Sequence, residues 1–295
     1  MSVLILTYHA IEDGPPPLCV APATFGAHLD AIAGSGAEVL TLASLAERIA
    51  QRELPERAVA ITFDDGLRSV VREAAPMLGA RGMPATVFAV AGHLGGQSDW
   101  PTQPPKAPRR PLASSDELIG LADRGWEIGC HGFDHAPLTG ATGAELEREL
   151  VTARERLEAA VGRPVTSLAY PYGALPGLEG RALVEREYAA ACTTELGAVE
   201  EGADLHALPR VEVHYVRRPD LLSRAIEGKL SSYLTARRLG SRARRMVRPD
   251  YSPPGPRRLA ARARRMVRRD HPPPGLPGTS PRPDDSPRPR VGRRR

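Results

Sequence analysis

Short apolar runs alternate with amphipathic stretches along roughly the first three quarters of the chain. The apolar runs Val3–Thr7, Ala58–Phe63, Ala85–Val90, Trp126–Cys130, Val165–Ala169, Ala189–Thr193 and Ala207–Val213 read as strands. Between them, Ala23–Ala33, Leu42–Arg52, Val70–Ala80, Ser115–Arg124, Gly143–Val161, Leu175–Glu187 and a stretch opening at Asp220 read as helices. Ser114 and Ser115, ahead of Asp116 and Glu117, supply an N-cap for the fourth helix. Thr142, with Glu145 three residues on, has the spacing of a capping box for the fifth. Strand followed by helix, about seven times over, implies parallel strands joined by right-handed crossovers. The expected fold class is α/β, as a closed or nearly closed barrel. An open doubly wound sheet is the alternative.

Two stretches break this rhythm. Gly95 to Pro111 contains Pro101, Pro104, Pro105, Pro108 and Pro111, so neither helix nor central strand fits it. Its Trp100 either covers a substrate or sits in a solvated insertion. Beyond residue 220, Leu222, Ile226, Leu230, Tyr233 and Leu234 mark an amphipathic helix. There the chain turns repetitive: Arg-Ala-Arg-Arg-Met-Val-Arg at 242–248 recurs at 262–268, a period of 20 residues. The expected organisation is a catalytic barrel over 1–220, a helix over 221–240, and an Arg/Pro-rich tail over 241–295 that stays disordered.

Charge follows the same division. Residues 221–295 carry 21 Lys and Arg against 5 Asp and Glu, leaving 19 basic and 30 acidic residues in the rest. An acidic body thus bears a basic tail. Such a tail suits an anionic membrane surface. No nucleic-acid-binding fold accompanies it, and specific nucleic-acid recognition is not expected. Cys19, Cys130 and Cys192 are too few, and odd in number, for a disulfide framework. The opening apolar run, Val3 to Leu6, is too short for a secretory leader. The expected location is cytoplasmic, peripheral at the inner membrane face. The oligomeric state is left open.

Three segments at predicted strand ends carry the chemistry. Asp64 and Asp65 follow an apolar strand and precede Gly66. Adjacent carboxylates repel unless a cation lies between them or one holds a proton. A divalent metal on one of them leaves the other free as a base; an Asp-Asp-Gly turn in water is the bland reading. His131 and His135, four apart after the strand ending at Cys130, are imidazoles that suit zinc, nickel, cobalt or iron. Two histidines and one carboxylate leave metal positions open for water and substrate. In Tyr170-Pro171-Tyr172-Gly173 the turn leaves the Tyr172 N–H free to face an oxyanion, or is an ordinary β-to-α connection.

Together these segments resemble the polysaccharide deacetylases, carbohydrate esterase family 4 with the NodB homology domain. Thr62-Phe63-Asp64-Asp65-Gly66 matches the family's first motif throughout. His131 and His135 match both histidines of the second, and Tyr170 to Gly173 resembles the third. The resemblance spans about residues 1–215 and implies a distorted (β/α)7 barrel of the NodB type. It implies Asp64 as general base, and Asp65, His131 and His135 as ligands of a divalent metal, zinc first, with cobalt, nickel or iron as alternatives. The Tyr172 amide and the metal would share the oxyanion.

The chain departs from the family pattern in three places. Gly132 stands where the second motif has Ser or Thr, whose hydroxyl braces the loop. Ala169 stands where the third motif has an Arg that supports the base, and Arg210 is the candidate replacement. The late motif that brings the catalytic acid is absent. Tyr8-His9 resembles the opening of the permuted poly-N-acetylglucosamine deacetylases, in which an N-terminal His is the acid; His206 and His214 are the rivals. The expected function is metal-dependent removal of an N-acyl group from an N-acetylated sugar, oligosaccharide or glycolipid. The alternative is a degenerate, non-catalytic barrel that binds carbohydrate or an anionic surface through its tail.

Overall fold

The computed structural model describes residues 2–103, 107–230 and 232–237. The repeat and the expected disorder of 241–295 lie outside the described residues. Eight parallel strands form the sheet: β1 (Ser2–Tyr8), β2 (Glu38–Leu40), β3 (Arg57–Phe63), β4 (Thr86–Ala89), β5 (Glu127–Cys130), β6 (Ser167–Ala169), β7 (Ala190–Leu196) and β8 (Leu208–Glu212). Seven of them close a barrel, because β1 pairs with β8 on one edge and with β3 on the other. The open-sheet alternative is thereby excluded. The seven strands expected from the apolar runs are the seven of the barrel.

The strand β2 is additional, and the apolar pattern does not show it: three residues with no buried side chain among them. It pairs with Ala58–Ala60 of β3, whereas β4 takes the same edge only at Thr62 and Phe63. The chain just after β2 is anchored by the buried Thr86 and by Glu127. The Leu42 N–H donates to Thr86 Oγ1 at 2.9 Å, and the Ala43 N–H to Glu127 at 2.8 Å.

Side-chain alternation along each strand sorts the residues into two layers. Leu4, Leu6 and Tyr8 of β1 and Val59, Ile61 and Phe63 of β3 belong to the core packed under the helices. Val3, Ile5, Ala58, Ala60, Phe88, Ala169, Ala190, Cys192 and Leu208 belong to the barrel interior. Five of these nine are Ala or Cys, so the interior admits a long side chain from above. Continued at period two, the interior rows reach Asp64 just past β3, His9 just past β1, and Arg210 and Glu212 on β8. The site is thus the upper layer of the barrel core.

Several helix expectations need correction. Thr142 caps nothing with its side chain. The fifth helix starts from Gly143 at φ 49°, and only the Thr142 carbonyl serves, accepting from the Glu145 N–H. The helix then passes through a π segment, Glu147–Thr152, before continuing as Ala153–Val161. Ser114 and Glu117, by contrast, form a complete capping box. The sixth helix begins at Leu178, not Leu175. The one opening at Pro219 stops at Ile226, two residues before Gly228 at φ 74°; Leu230 and Leu234 are buried beyond it. All three cysteines are free and buried. Among the described residues no helix is long and apolar enough to cross a membrane.

Candidate active site

The site residues lie at the C-terminal ends of the barrel strands, where the loops of such barrels build their sites. Phe63 ends β3 and Asp64 and Asp65 follow; Cys130 ends β5 and His131 follows; Ala169 ends β6 ahead of the Tyr172 turn. His9 follows β1, and Arg210 lies within β8. The backbone is held in unusual conformations here. Asp65, His135 and Tyr172 are all left-handed, at φ 70°, 53° and 60°. Each costs about 1 kcal/mol or more. Gly66 shares the conformation at φ 66°, and a Cβ there would meet the Ala89 Cα at 3.2 Å.

Asp65, His131 and His135 converge, with ligand atoms within 4.8 Å of one another. Asp65 Oδ1 is 3.6 Å from His131 Nε2 and 3.4 Å from His135 Nε2. His131 Nδ1 is 2.7 Å from the Ala169 carbonyl, which can only accept, so the proton sits on Nδ1 and the Nε2 lone pair faces the group. Burial pushes His131 down to about 4, against the opposing fields of Asp64 and Asp65, so the ring is neutral at pH 7. Burial opposes ionisation of Asp65, but the hydrogen bond and field of His135 hold its carboxyl well below the usual range. A carboxylate and two imidazoles, one with its lone pair directed inward, fit a divalent metal.

Asp64 is set apart from this group by Arg210. The guanidinium grips it with both hydrogen bonds at 2.7 Å, and Nε–H donates to the Thr193 carbonyl at 2.9 Å. Both side chains are almost wholly buried. Burial alone would raise the Asp64 carboxyl; the charge and hydrogen bonds of Arg210, with the fields of His131 and His9, together hold it below its ordinary value. The two residues are 146 positions apart. A register shift in the β7–β8 ladder falls between Leu208 and Arg210, the kind of irregularity that re-aims a side chain. Arg210, the candidate replacement for the absent third-motif Arg, is thus paired with Asp64.

On the β1 side, His9 Nδ1 lies 3.8 Å from Glu212 Oε2. Burial disfavours the imidazolium, but Glu212, Asp65 and Asp64 surround it with negative charge, and its pKa is raised overall. Glu212 was not among the expected site residues. The long loop was only partly legible. Trp100 is buried, not solvated, and stacks on His135 with ring centroids 4.5 Å apart. Thr102 ties the site together, accepting from the Tyr172 hydroxyl at 2.7 Å and donating to the His135 carbonyl at 3.1 Å. These residues line one cavity of about 710 Å³, which holds His9, Asp64, Asp65, His131, His135, Tyr172 and Arg210 together. His206 and His214 do not reach it. His206 Nε2 is spent on the Tyr188 carbonyl, and His214 is exposed beside Tyr215.

Residues 51–189 match the family model described as polysaccharide deacetylase. Over 210 residues the chain is 28% identical to YxkH of Bacillus subtilis, a provisionally named polysaccharide deacetylase; the match covers 71% of this chain and 70% of that one. It is 23% identical over 236 residues to the poly-β-1,6-N-acetyl-D-glucosamine N-deacetylase of Staphylococcus epidermidis, covering 72% and 79%. A crystal structure from Bacillus anthracis, also provisionally named a polysaccharide deacetylase, superposes with a TM-score of 0.63 at 25% identity, covering 77% of this chain and 69% of that one. With the motifs and the geometry they build, these likenesses make residues 51–189 similar to the polysaccharide deacetylase family, with poly-N-acetylglucosamine deacetylase-like proteins among the chain's distant relatives.

Proposed function

We propose that this chain is a divalent-metal-dependent hydrolase that removes an N-acyl group, acetyl first, from an amino sugar in an oligosaccharide or glycolipid. One observation carries the reading. A metal-competent Asp65–His131–His135 group and a separate carboxylate, Asp64, share one cavity with an imidazole, His9. Amide hydrolysis needs a base for water and an acid for the leaving amine, and these groups supply both.

When bound, a divalent cation, zinc with cobalt, nickel or iron as alternatives, supplies Lewis acidity toward the acyl carbonyl and the attacking water. Asp64 accepts the proton of that water. Arg210 keeps the Asp64 carboxylate ionised and fixed in direction, so that Asp64 does not compete as a ligand. The Tyr172 N–H donates to the oxygen that gains charge as the acyl carbon becomes tetrahedral. His9, whose pKa Glu212, Asp65 and Asp64 raise against burial, delivers the proton to the departing nitrogen. Trp100 closes one side of the cavity against water.

The test is acetate release from a panel of monomeric, polymeric and lipid-linked N-acetyl sugars, using chelated protein with and without added zinc or cobalt. The reading expects release from at least one class, dependent on added metal. Metal-loaded protein inert on every class contradicts it.

A further inference from the structure

Gly132 stands where the family's second motif carries a bracing hydroxyl, yet the histidine loop is not loose. Glu149, from the π segment Glu147–Thr152, reaches under it with only 5% of its surface exposed. Its carboxylate accepts from the N–H groups of Phe133 at 2.9 Å, Asp134 at 3.1 Å and Ala136 at 3.4 Å. The loop's carbonyls are held from the other side. The Ala91 N–H donates to the Gly132 carbonyl at 3.0 Å and the Gly92 N–H to that of Phe133 at 2.8 Å. The backbone between His131 and His135 is thereby clamped across both of its polar edges.

The same geometry accounts for Gly132. It is left-handed at φ 79°, and a Cβ there would stand 2.6 Å from Glu149 Oε2. Position 132 cannot carry a side chain while Glu149 occupies its seat. A brace built into the loop and a brace delivered from the helix exclude one another.

We propose that Glu149 is the positioning residue for both histidine ligands, replacing the missing hydroxyl, and that Gly132 is the vacancy that admits it. The proposal rests on the reading of Asp65, His131 and His135 as metal ligands. Arg148 adds a lesser restraint, lying 3.9 Å above the Phe133 ring and pairing with Asp134 at 2.8 Å. It holds loop side chains, whereas Glu149 holds the backbone that aims the imidazoles.

Four variants test this: Glu149→Gln, Gly132→Ala, the double variant and Glu149→Asp, each assayed where it is fully folded. Glu149→Gln replaces one acceptor oxygen with an amide that faces N–H donors. Zinc affinity, read by competition with a chromophoric chelator, should fall about 10–100-fold, as expected for loss of a group that orients ligands. The visible spectrum of the cobalt form should change with it. Gly132→Ala should give a similar loss by displacing the carboxylate, and the double variant should be little worse than either single one. Glu149→Asp should recover part of the affinity. In metal-free protein, amide exchange over 131–136 should quicken in Glu149→Gln while the barrel strands keep their protection. Wild-type zinc affinity and cobalt spectrum in folded Glu149→Gln, or fully additive losses in the double variant, overturn the proposal. If wild type itself takes no zinc, the ligand reading falls; unchanged exchange over 131–136 then overturns the brace independently.

Discussion

Replacing Arg210 by Met keeps much of its bulk and removes what holds Asp64. Two charge-assisted hydrogen bonds at 2.7 Å disappear, along with the bond to Thr193, and Asp64 is left in the barrel core without its counter-ion. Breaking one side of a buried pair costs about 3–5 kcal/mol. The sign with pH follows from the directions of the shifts. In the wild type Asp64 sits below its ordinary 3.8, so its contribution is complete above that value and is lost only as pH falls through the lower folded one. In Arg210→Met the largest opposing influence is gone, burial predominates over the fields of His131 and His9, and the folded value should rise above 3.8. The penalty is then present above that raised value and fades as pH falls toward 3.8. Urea unfolding of chelated protein should therefore show a deficit of about 3–5 kcal/mol at pH 7 that narrows at pH 5. Adding Asp64→Asn to Arg210→Met should restore most of the loss at pH 7. A deficit under about 1 kcal/mol, the worth of an ordinary exposed pair, would refute the reasoning, as would one of equal size at both pH values.

Other groups lend themselves to shorter tests. Asp65→Ala, His131→Ala and His135→Ala should each weaken zinc binding strongly, measured by chelator competition. His9→Ala should lower deacetylation by about 10²–10⁴-fold but spare an acetate ester with a good leaving group, which needs little protonation; equal damage to both substrates would mark His9 as structural. Glu212→Gln removes a principal cause raising His9. The alkaline limb of the pH–rate profile, where the imidazolium proton is lost, should move to lower pH, and an unmoved limb would separate the two residues. Deleting residues 241–295 should leave acetate release from a soluble substrate nearly unchanged while abolishing any salt-sensitive sedimentation with anionic vesicles.

The barrel strands and the metal group are legible in the sequence because both are local. Each strand is one apolar run, and Asp64, Asp65, His131 and His135 sit where such runs end. Strand β2 is not legible, since Glu38–Leu40 buries no side chain and pairing alone makes it a strand. The Thr142 capping box has the right spacing, but Gly143 takes a conformation that moves the helix start. The Asp64–Arg210 grip joins residues 146 apart and depends on the β7–β8 register, so sequence could nominate Arg210 without fixing its contact. Glu212 is foreshadowed by period two along β8: Leu208, Arg210 and Glu212 share a face. Glu149 has no such cue. It resembles any helix glutamate until the unusual Gly132 is set beside it.

The central claim is that Asp65 serves a metal while Asp64 serves the reaction. The most direct measurement compares wild type with Asp64→Asn, both loaded with zinc to the same measured content, in single-turnover acetate release from an N-acetylated glucosamine oligomer. The account predicts equal metal content, release by wild type, and a loss of at least about 10²-fold in Asp64→Asn, the worth of a positioned base. An Asp64→Asn protein that cannot hold zinc, or that holds it and releases acetate at the wild-type rate, would contradict it.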